Sequence, residues 1–246
     1  MSGHRCGRSK RGFTLVELLV VVGVITILMG LVAAGVTALQ RTAKIEASKA
    51  ICQTFAAALE QYYQDYRAYP LLLPTYVNDL QLSTEFNDLF YDSGSEVWSR
   101  AGLNATVVYQ MLLPIRGGPF LDTGAKTVRL RYPRDENNQP QEITVNDQKI
   151  MVLLDRFDEP INIAWTGMVK LKDSTVRHQG SIVPEGERYI LTTRNETLTF
   201  SSDDLVWDYS TGSSLPLVLT GLTVWSSGPD KDVDTSDDTG TVTTGR

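Results

Sequence analysis

Residues 11–18 read Arg-Gly-Phe-Thr-Leu-Val-Glu-Leu and stand at the start of a long apolar stretch. The segment 1–12 carries four basic side chains and no acidic one, and Glu17 is the only charged residue from Phe13 to Leu39. A short basic leader joined directly to a spanning apolar segment is typical of a membrane-insertion signal whose basic end stays in the cytoplasm. An ordinary secretory signal has an apolar core of only about 7–15 residues, so residues 13–39 fit it poorly.

The octet resembles the processing site of type IV prepilins and of the pseudopilins of type II secretion systems. The resemblance implies that a prepilin peptidase cuts after Gly12, that the leader 1–12 is lost, and that the new first residue, Phe13, is N-methylated. The alternatives are an ordinary secretory signal peptide and a simple single-pass anchor.

Glu17 requires its own explanation, because a carboxylate within hydrocarbon costs about 2.5–3.5 kcal/mol on insertion scales. The positive end of a helix dipole offsets part of that cost if Glu17 lies in the first turns. The resemblance implies a stronger partner, the free amine of Phe13 on the next subunit, with the pair setting the register of stacked subunits. The alternative is that Glu17 reaches the lipid headgroups by itself.

The apolar run becomes amphipathic near Gln40, where apolar side chains recur every three or four residues as far as Tyr66. Since no proline interrupts residues 13–66, we predict one helix of about 50 residues, close to 80 Å long at about 1.5 Å per residue. Its first part, residues 13–39, is apolar all round and suits a membrane or a helix bundle, whereas residues 40–69 suit a soluble domain. Pro70 ends the helix.

Residues 70–246 are predicted to form a periplasmic β domain. Short apolar runs alternate with turn-forming residues, and a short helix is expected at residues 83–90. The fold class is therefore α+β: a long N-terminal hydrophobic helix followed by a mainly antiparallel β-sheet packed on the apolar stripe of that helix. No internal repeat is evident. The predicted strands are Thr106–Leu113, Thr127–Tyr132, Glu142–Val145, Lys149–Leu154, Ile161–Trp165, Arg188–Thr192, Thr197–Phe200 and Leu217–Trp225.

Charge and cysteine content exclude several function classes. Removing the leader's four basic residues from the 23 leaves 19 against 29 acidic residues, a net charge of −10, which argues against a nucleic-acid binder. Cys6 leaves with the leader and Cys52 remains alone, so the mature chain forms no internal disulfide. His178 has no nucleophile motif beside it, so we expect no enzyme.

The stretch 226–240 is rich in acidic residues close to Gly228 and Pro229. Like charges crowded in one loop favour a bound cation, and calcium takes six to eight oxygen ligands of this kind. The loop resembles the C-terminal calcium loop of the major pseudopilin. The resemblance implies Asp230, Asp237 and Asp238 as ligands, with Asp232 and Asp234 as further candidates. The alternative is a solvated acidic tail.

Two further stretches are similar to the same family. Residues 58–70 resemble the end of its helix, which runs into a tyrosine-proline turn. Asp155-Arg156-Phe157-Asp158-Glu159-Pro160-Ile161 is similar to its Asp-x-Trp-Gly-x-Pro-Tyr turn, with Asp158 where glycine is usual, and we expect it to be scaffold. Residues 71–149 have no counterpart in the compact family pattern, so we interpret them as an insertion.

The resemblance implies a filament subunit of a periplasmic pseudopilus or type IV pilus-like filament that supports type II protein secretion. Its partners would be the prepilin peptidase, other subunits and an inner-membrane assembly platform. It would cross the bacterial inner membrane once, with its C-terminal domain in the periplasm, and join a cell filament after assembly. The alternatives are a minor pilin acting as a binding module for adhesion or DNA uptake, and an anchored protein that never assembles.

Overall fold

The computed structural model describes residues 15–113, 118–122, 124, 127–173, 178–193, 195–205, 217–232 and 239–245. The chain divides into two compact units between Ala43 and Lys44. The first unit contains the apolar beginning of a long helix, α1 (Leu15–Tyr66). The second unit contains the rest of α1 and all other elements, and it holds the hydrophobic core.

Helix α1 ends at Tyr66, the residue that the sequence predicts. Its predicted first residue, Phe13, lies outside the described residues. The helix stops because Arg67 adopts a left-handed conformation (φ 57°) and donates its backbone N–H to the Tyr63 carbonyl at 2.7 Å, which is a common way of closing a C-terminus. Pro70 then prevents continuation.

Three shorter helices follow in the region predicted to be an insertion. They are α2 (Asn78–Gln81), α3 (Thr84–Phe90) and α4 (Arg100–Leu112), with a 3₁₀ turn at Pro74–Tyr76. The predicted helix at 83–90 is confirmed as α3, and the Ser83 hydroxyl caps it by accepting the Phe86 N–H at 3.3 Å.

The prediction of a strand at Thr106–Leu113 is wrong, because these residues belong to α4. Ser99 caps this helix by accepting the Gly102 N–H at 3.1 Å. Helix α4 is buried on nearly every side between two apolar clusters, so its sequence shows no polar face. A short apolar run of this kind cannot be distinguished from a buried strand by periodicity alone.

Twelve strands are described. Three antiparallel pairs are only two residues long per strand: β1 with β2, β3 with β6, and β4 with β5. The predicted strand Lys149–Leu154 is thus divided between two different pairs. The bounds are β1 Tyr91–Asp92, β2 Val97–Trp98, β3 Leu130–Arg131, β4 Thr144–Val145, β5 Gln148–Lys149, β6 Val152–Leu153, β7 Asn162–Val169, β8 His178–Glu185, β9 Arg188–Thr192, β10 Thr197–Ser201, β11 Leu217–Ser226 and β12 Thr239–Gly245.

The other six strands form one antiparallel sheet in the order β10-β9-β8-β7-β11-β12. The predicted α+β class with an antiparallel sheet is therefore confirmed. Strands β8 and β12 were not predicted. β8 begins in the polar stretch at His178, and β12 is composed of threonine, glycine and one valine, so neither shows the apolar alternation of a strand.

The second half of α1 packs its apolar stripe on the sheet, as predicted. Phe55 and Leu59 of the helix are fully buried and share one cluster with Ile163 of β7 and with Leu222 and Val224 of β11. Burying a side chain of this size contributes about 1.5–3 kcal/mol. The contact between helix stripe and sheet therefore stabilises the domain.

The region 71–149 shares a second, smaller cluster with Ile150 and Val152, and Phe86, Phe90 and Tyr109 are buried in it. Asn104 of α4 ties this region to the main core. Its side-chain oxygen accepts the Leu153 N–H at 2.8 Å, and its amide donates to the Ile161 carbonyl at 2.7 Å. These bonds satisfy backbone groups that would otherwise be buried without partners.

Cys52 lies fully buried on the α1 stripe, and burial together with the nearby Asp155 carboxylate raises the pKa of its thiol to about 12. We expect the folded chain, with Cys6→Ser, to resist maleimide at pH 8 and to react after unfolding in urea. In the unfolded chain this thiol ionises near pH 9.0, so its contribution to stability is lost as the pH rises from there towards about 12.

A Glu46→Cys variant is the control for this labelling, since Glu46 is an exposed residue of the same helix. It should react at once in the folded state. Rapid labelling of Cys52 in the folded chain would show that the helix stripe is not packed as described.

Candidate functional site

The first candidate site is the apolar beginning of α1. Glu17 lies in the first turn of the helix, where the dipole favours a carboxylate. Gly12 and Phe13, the predicted processing residues, lie outside the described residues, so the structure does not report their distance to Glu17. From Leu15 to Leu39, the large apolar side chains are widely exposed in the single chain, among them Leu15 (79%), Met29 (68%) and Leu39 (72%).

Such exposure is unusual for a water-soluble surface, where contiguous apolar patches are small. Helix α1 is the one helix, within the described residues, that is long and apolar enough to cross a membrane, and an 18-residue window of it has a mean hydropathy of 2.8. The exposed apolar segment therefore needs lipid or other helices around it.

The second candidate site is the acidic loop, which connects β11 to β12. Ser226 pairs with Thr239 across these strands, so the two ends of the loop are held side by side. Asp230 is exposed, and one of its carboxylate oxygens accepts the Asp232 N–H at 3.0 Å. Asp234, Asp237 and Asp238 lie outside the described residues.

The buried carboxylate of Asp155 anchors the beginning of this loop. It is completely inaccessible to solvent and accepts the Ser226 hydroxyl at 2.5 Å. The Ser226 oxygen in turn accepts the Gly228 N–H at 3.2 Å. The other oxygen of Asp155 accepts the Phe157 and Glu159 N–H groups at 2.7 and 3.0 Å. The sequence predicted this turn as scaffold, and the structure shows that it also holds the loop.

Charged pairs surround the same turn. Lys231 of the loop binds Glu159 at 2.7 Å, and Glu159 raises the pKa of that lysine. Arg129 binds Asp158 at 2.7 Å and holds the pKa of that carboxyl below its usual value. These pairs are partly exposed, so each contributes little by itself. Their effect is to fix the position of the turn relative to the loop.

The turn is also tied to α1, because the Arg156 N–H donates to the buried Ser48 hydroxyl at 3.1 Å. Asp158 occupies the position where the resembled turn usually has glycine, and its φ of 66° explains that preference. The first half of the loop, the turn and the helix thus form one hydrogen-bonded unit.

An equivalent turn occurs earlier in the chain, at Arg134–Pro140. Asp135 there accepts the Asn137 and Gln139 N–H groups at 2.9 and 2.8 Å, and Asn138 has a φ of 62°. The flanking bridge Arg134 to Pro140 matches Leu154 to Pro160. Sequence reasoning did not detect this repeat, because only the aspartate and the proline recur.

The ends of the acidic loop carry buried polar atoms that have no hydrogen-bond partner among the described residues. These are the Thr239 hydroxyl and the Trp225 indole nitrogen. A hydroxyl oxygen suits calcium, whereas an indole N–H only donates and needs an acceptor such as a carboxylate or a bound water. Of these two atoms, only the Thr239 hydroxyl oxygen has the chemistry of a calcium ligand. In the described part of the chain, however, no group of three or more acidic, histidine or cysteine residues could hold a metal by itself.

His178, the lone histidine of the predicted mature chain, lies at the start of β8. Its Nδ1 is 3.1 Å from a carboxylate oxygen of Glu196, which precedes β10. This contact links the ends of strands near the sheet edge and gives the histidine a structural role.

Residues 7–33 match the family described as the prokaryotic N-terminal methylation motif, a match that contains Gly12, Phe13 and Glu17. No curated protein and no solved structure matches the chain. Chains with this motif are structural subunits that assemble with one another. The chain therefore carries the N-terminus of a type IV pilin-like precursor, which a prepilin peptidase processes and whose long apolar helix suits a membrane anchor.

Proposed function

We propose that the chain is a structural subunit of a pseudopilus or type IV pilus-like filament that supports type II protein secretion. The observation that carries this proposal is the apolar surface of residues 15–39, which is exposed in the single chain and lies within and just beyond the methylation motif. A helix of this kind is stable in a bilayer or in a bundle of similar helices.

Before assembly, the helix crosses the inner membrane once and the domain lies in the periplasm. Moving the helix from lipid into a filament yields no hydrophobic gain, since lipid tails are as apolar as leucine. Close helix packing and polar pairs must therefore supply the preference for the filament, and an inner-membrane assembly platform is needed to extract the subunit. Glu17 paired with the amine of Phe13 is the polar contact that the segment offers.

Co-expression with a prepilin peptidase tests the first step. The intact mass of the subunit should fall by the mass of residues 1–12 and rise by the mass of one methyl group on Phe13. An unchanged mass, with the peptidase active on a known substrate, would contradict the proposal.

Deletion of the gene in the source bacterium tests the second step. Secreted enzymes should accumulate in the periplasm, and a plasmid copy of the gene should restore their release. Normal secretion in the deletion strain would refute the link to secretion, while leaving filament assembly to be judged separately.

We also propose that calcium orders the acidic loop through Asp230, Asp237 and Asp238, with Asp232 and Asp234 as further candidates. The pairing of Ser226 with Thr239 holds the two ends of the loop side by side, and the unpartnered Thr239 hydroxyl at one of these ends supports a bound ion. A cation would lower the repulsion among these carboxylates.

Calcium at a hundredfold excess over Kd should stabilise the domain by about 2.7 kcal/mol, which raises Tm by roughly 5–10 °C at this size. EGTA should reverse the shift and speed proteolysis near the C-terminus. Asp237→Asn should reduce the shift, whereas Asp147→Asn, an exposed aspartate of the β4–β5 turn, should not. An identical Tm with calcium and with EGTA would rule the site out.

A second candidate function is a minor subunit that binds a ligand at the filament tip. The specific observation in its favour is that the region 71–149 supplies most of a second apolar cluster and forms one wall of a large cleft. An adhesion assay with the deletion strain separates it from the first candidate, because secretion would then be normal and surface binding lost.

A further inference from the structure

A cleft with a volume of about 1230 Å³ lies between the region 71–149 and the outer strands of the sheet. One wall runs from Leu73 to Trp98, and the other is formed by β9, β10 and the 3₁₀ turn after β10. The walls touch at Gly186, where an added Cβ would be 2.9 Å from the Glu96 carbonyl oxygen. This contact fixes the spacing of the walls.

Aromatic rings are the main apolar groups of the cleft. Tyr76 is 60% exposed and Tyr91 is 36% exposed, and both side chains line the cleft. The Tyr91 and Trp98 rings lie 4.8 Å apart, and on the opposite wall Tyr189 stacks on Phe200. Burial and the neighbouring Tyr76 raise the pKa of Tyr189, and tyrosines line both walls of the cleft.

The rest of the lining is polar, and Leu73 is its one aliphatic side chain. Thr75, Gln81, Thr199 and Ser202 supply hydroxyl and amide groups that both donate and accept hydrogen bonds. A lipid or an apolar peptide would need aliphatic pockets, so the lining does not suit either.

Five charged side chains line the cleft, and four acidic ones against one basic one give it a net charge of −3; they are Glu96, Glu187, Asp203, Asp204 and Arg188. Asp204 accepts the backbone N–H and the hydroxyl of Ser201 at 2.7 and 3.0 Å, and its pKa is lowered by these bonds and, more weakly, by Lys172 and Arg188. Lys172 also donates to the Asp203 carbonyl. The acidic lining disfavours an anionic ligand, and its carboxylates accept hydrogen bonds from hydroxyl groups.

We propose that this cleft binds a neutral oligosaccharide. Sugar rings present apolar C–H faces and hydroxyl edges, and they fit exposed aromatic faces flanked by side chains that donate and accept hydrogen bonds. The inference rests on the cleft alone and goes beyond filament assembly.

The test uses the full chain in a zwitterionic detergent without a sugar headgroup, since a glycosidic detergent would compete. Cellohexaose and chitohexaose are the probes, and binding is measured by saturation-transfer NMR and calorimetry. Tyr76→Ala should weaken binding by about three- to tenfold, as expected for the loss of one aromatic contact. This residue is mostly exposed, so the variant should keep its fold, which circular dichroism verifies.

Tyr132→Ala is the matched control, a half-buried tyrosine outside the cleft, and it should bind the sugars like the wild type. The proposal is overturned if neither sugar binds at millimolar concentration, or if Tyr76→Ala binds them unchanged. It is also overturned if a hexalysine peptide binds in a Tyr76-dependent manner while the sugars do not, because the cleft would then be a peptide site.

Discussion

A Glu17→Ala subunit should be cleaved and methylated normally and yet give at least a hundredfold less filament than the wild type. Breaking a buried ion pair by removing one partner costs about 3–5 kcal/mol, and every 1.4 kcal/mol corresponds to about a factor of ten. In the filament the Phe13 amine would remain charged among apolar helices without its carboxylate. The measurement is the amount of subunit in the sheared filament fraction, relative to total subunit.

Glu46→Ala is the control for this experiment. Glu46 is an exposed glutamate further along the same helix, paired with Lys49 at 2.8 Å, and its loss should leave filament yield within about twofold of the wild type. Normal filaments from Glu17→Ala would refute the pairing of Glu17 with the Phe13 amine. The mass of the subunit shows directly whether this variant is cleaved. Failed cleavage would instead indicate that the peptidase recognises Glu17.

Asp155→Ala should destabilise the domain by about 3 kcal/mol or more. The carboxylate accepts two backbone N–H groups and the Ser226 hydroxyl in a site without solvent access. Each buried donor left without a partner costs about 1–3 kcal/mol. For a domain of this size the loss lowers Tm by roughly 6–12 °C, measured by thermal unfolding.

The equivalent turn provides the matched control, Asp135→Ala. Asp135 makes the same two backbone bonds but is half-buried, and its remaining oxygen accepts a hydrogen bond from the side-chain amide of Gln141 at 2.9 Å, which is also half-buried. We expect a loss of about 1 kcal/mol. Hydrogen exchange should accelerate at Gly228 in Asp155→Ala and remain unchanged in Asp135→Ala. Equal destabilisation by the two variants would show that Asp155 only shapes its turn.

The sequence was most informative where local chemistry and long-range structure agree. Helix α1 could be predicted to its last residue, because apolar periodicity, the absence of proline and the stop at Pro70 all favour the same boundary. The match over residues 7–33 supports the reading of the octet at 11–18. Strand β9 was predicted with its observed bounds, since its apolar residues are flanked by turn-forming ones.

Prediction failed where tertiary contacts replaced the usual signals. Helix α4 has no polar face because it is covered by two clusters, so its apolar run resembled a strand. Strand β12 contributes an edge with little apolar surface and is held by its ladder with β11 and by the Gly245 N–H donating to Glu60 at 2.9 Å. The function of Asp155 could not be found by sequence, since Ser226 is distant along the chain and only the fold brings them together.

The order of the sheet strands has a consequence for biosynthesis. The central strand β7 pairs with β8 immediately after it and with β11, which is made much later. Until the ribosome has completed β11, the apolar stripe around Phe55 lacks the covering side chains of Leu222 and Val224. Nascent chains should therefore remain prone to aggregation and proteolysis until β11 has been translated, and we expect them to depend on chaperones until then.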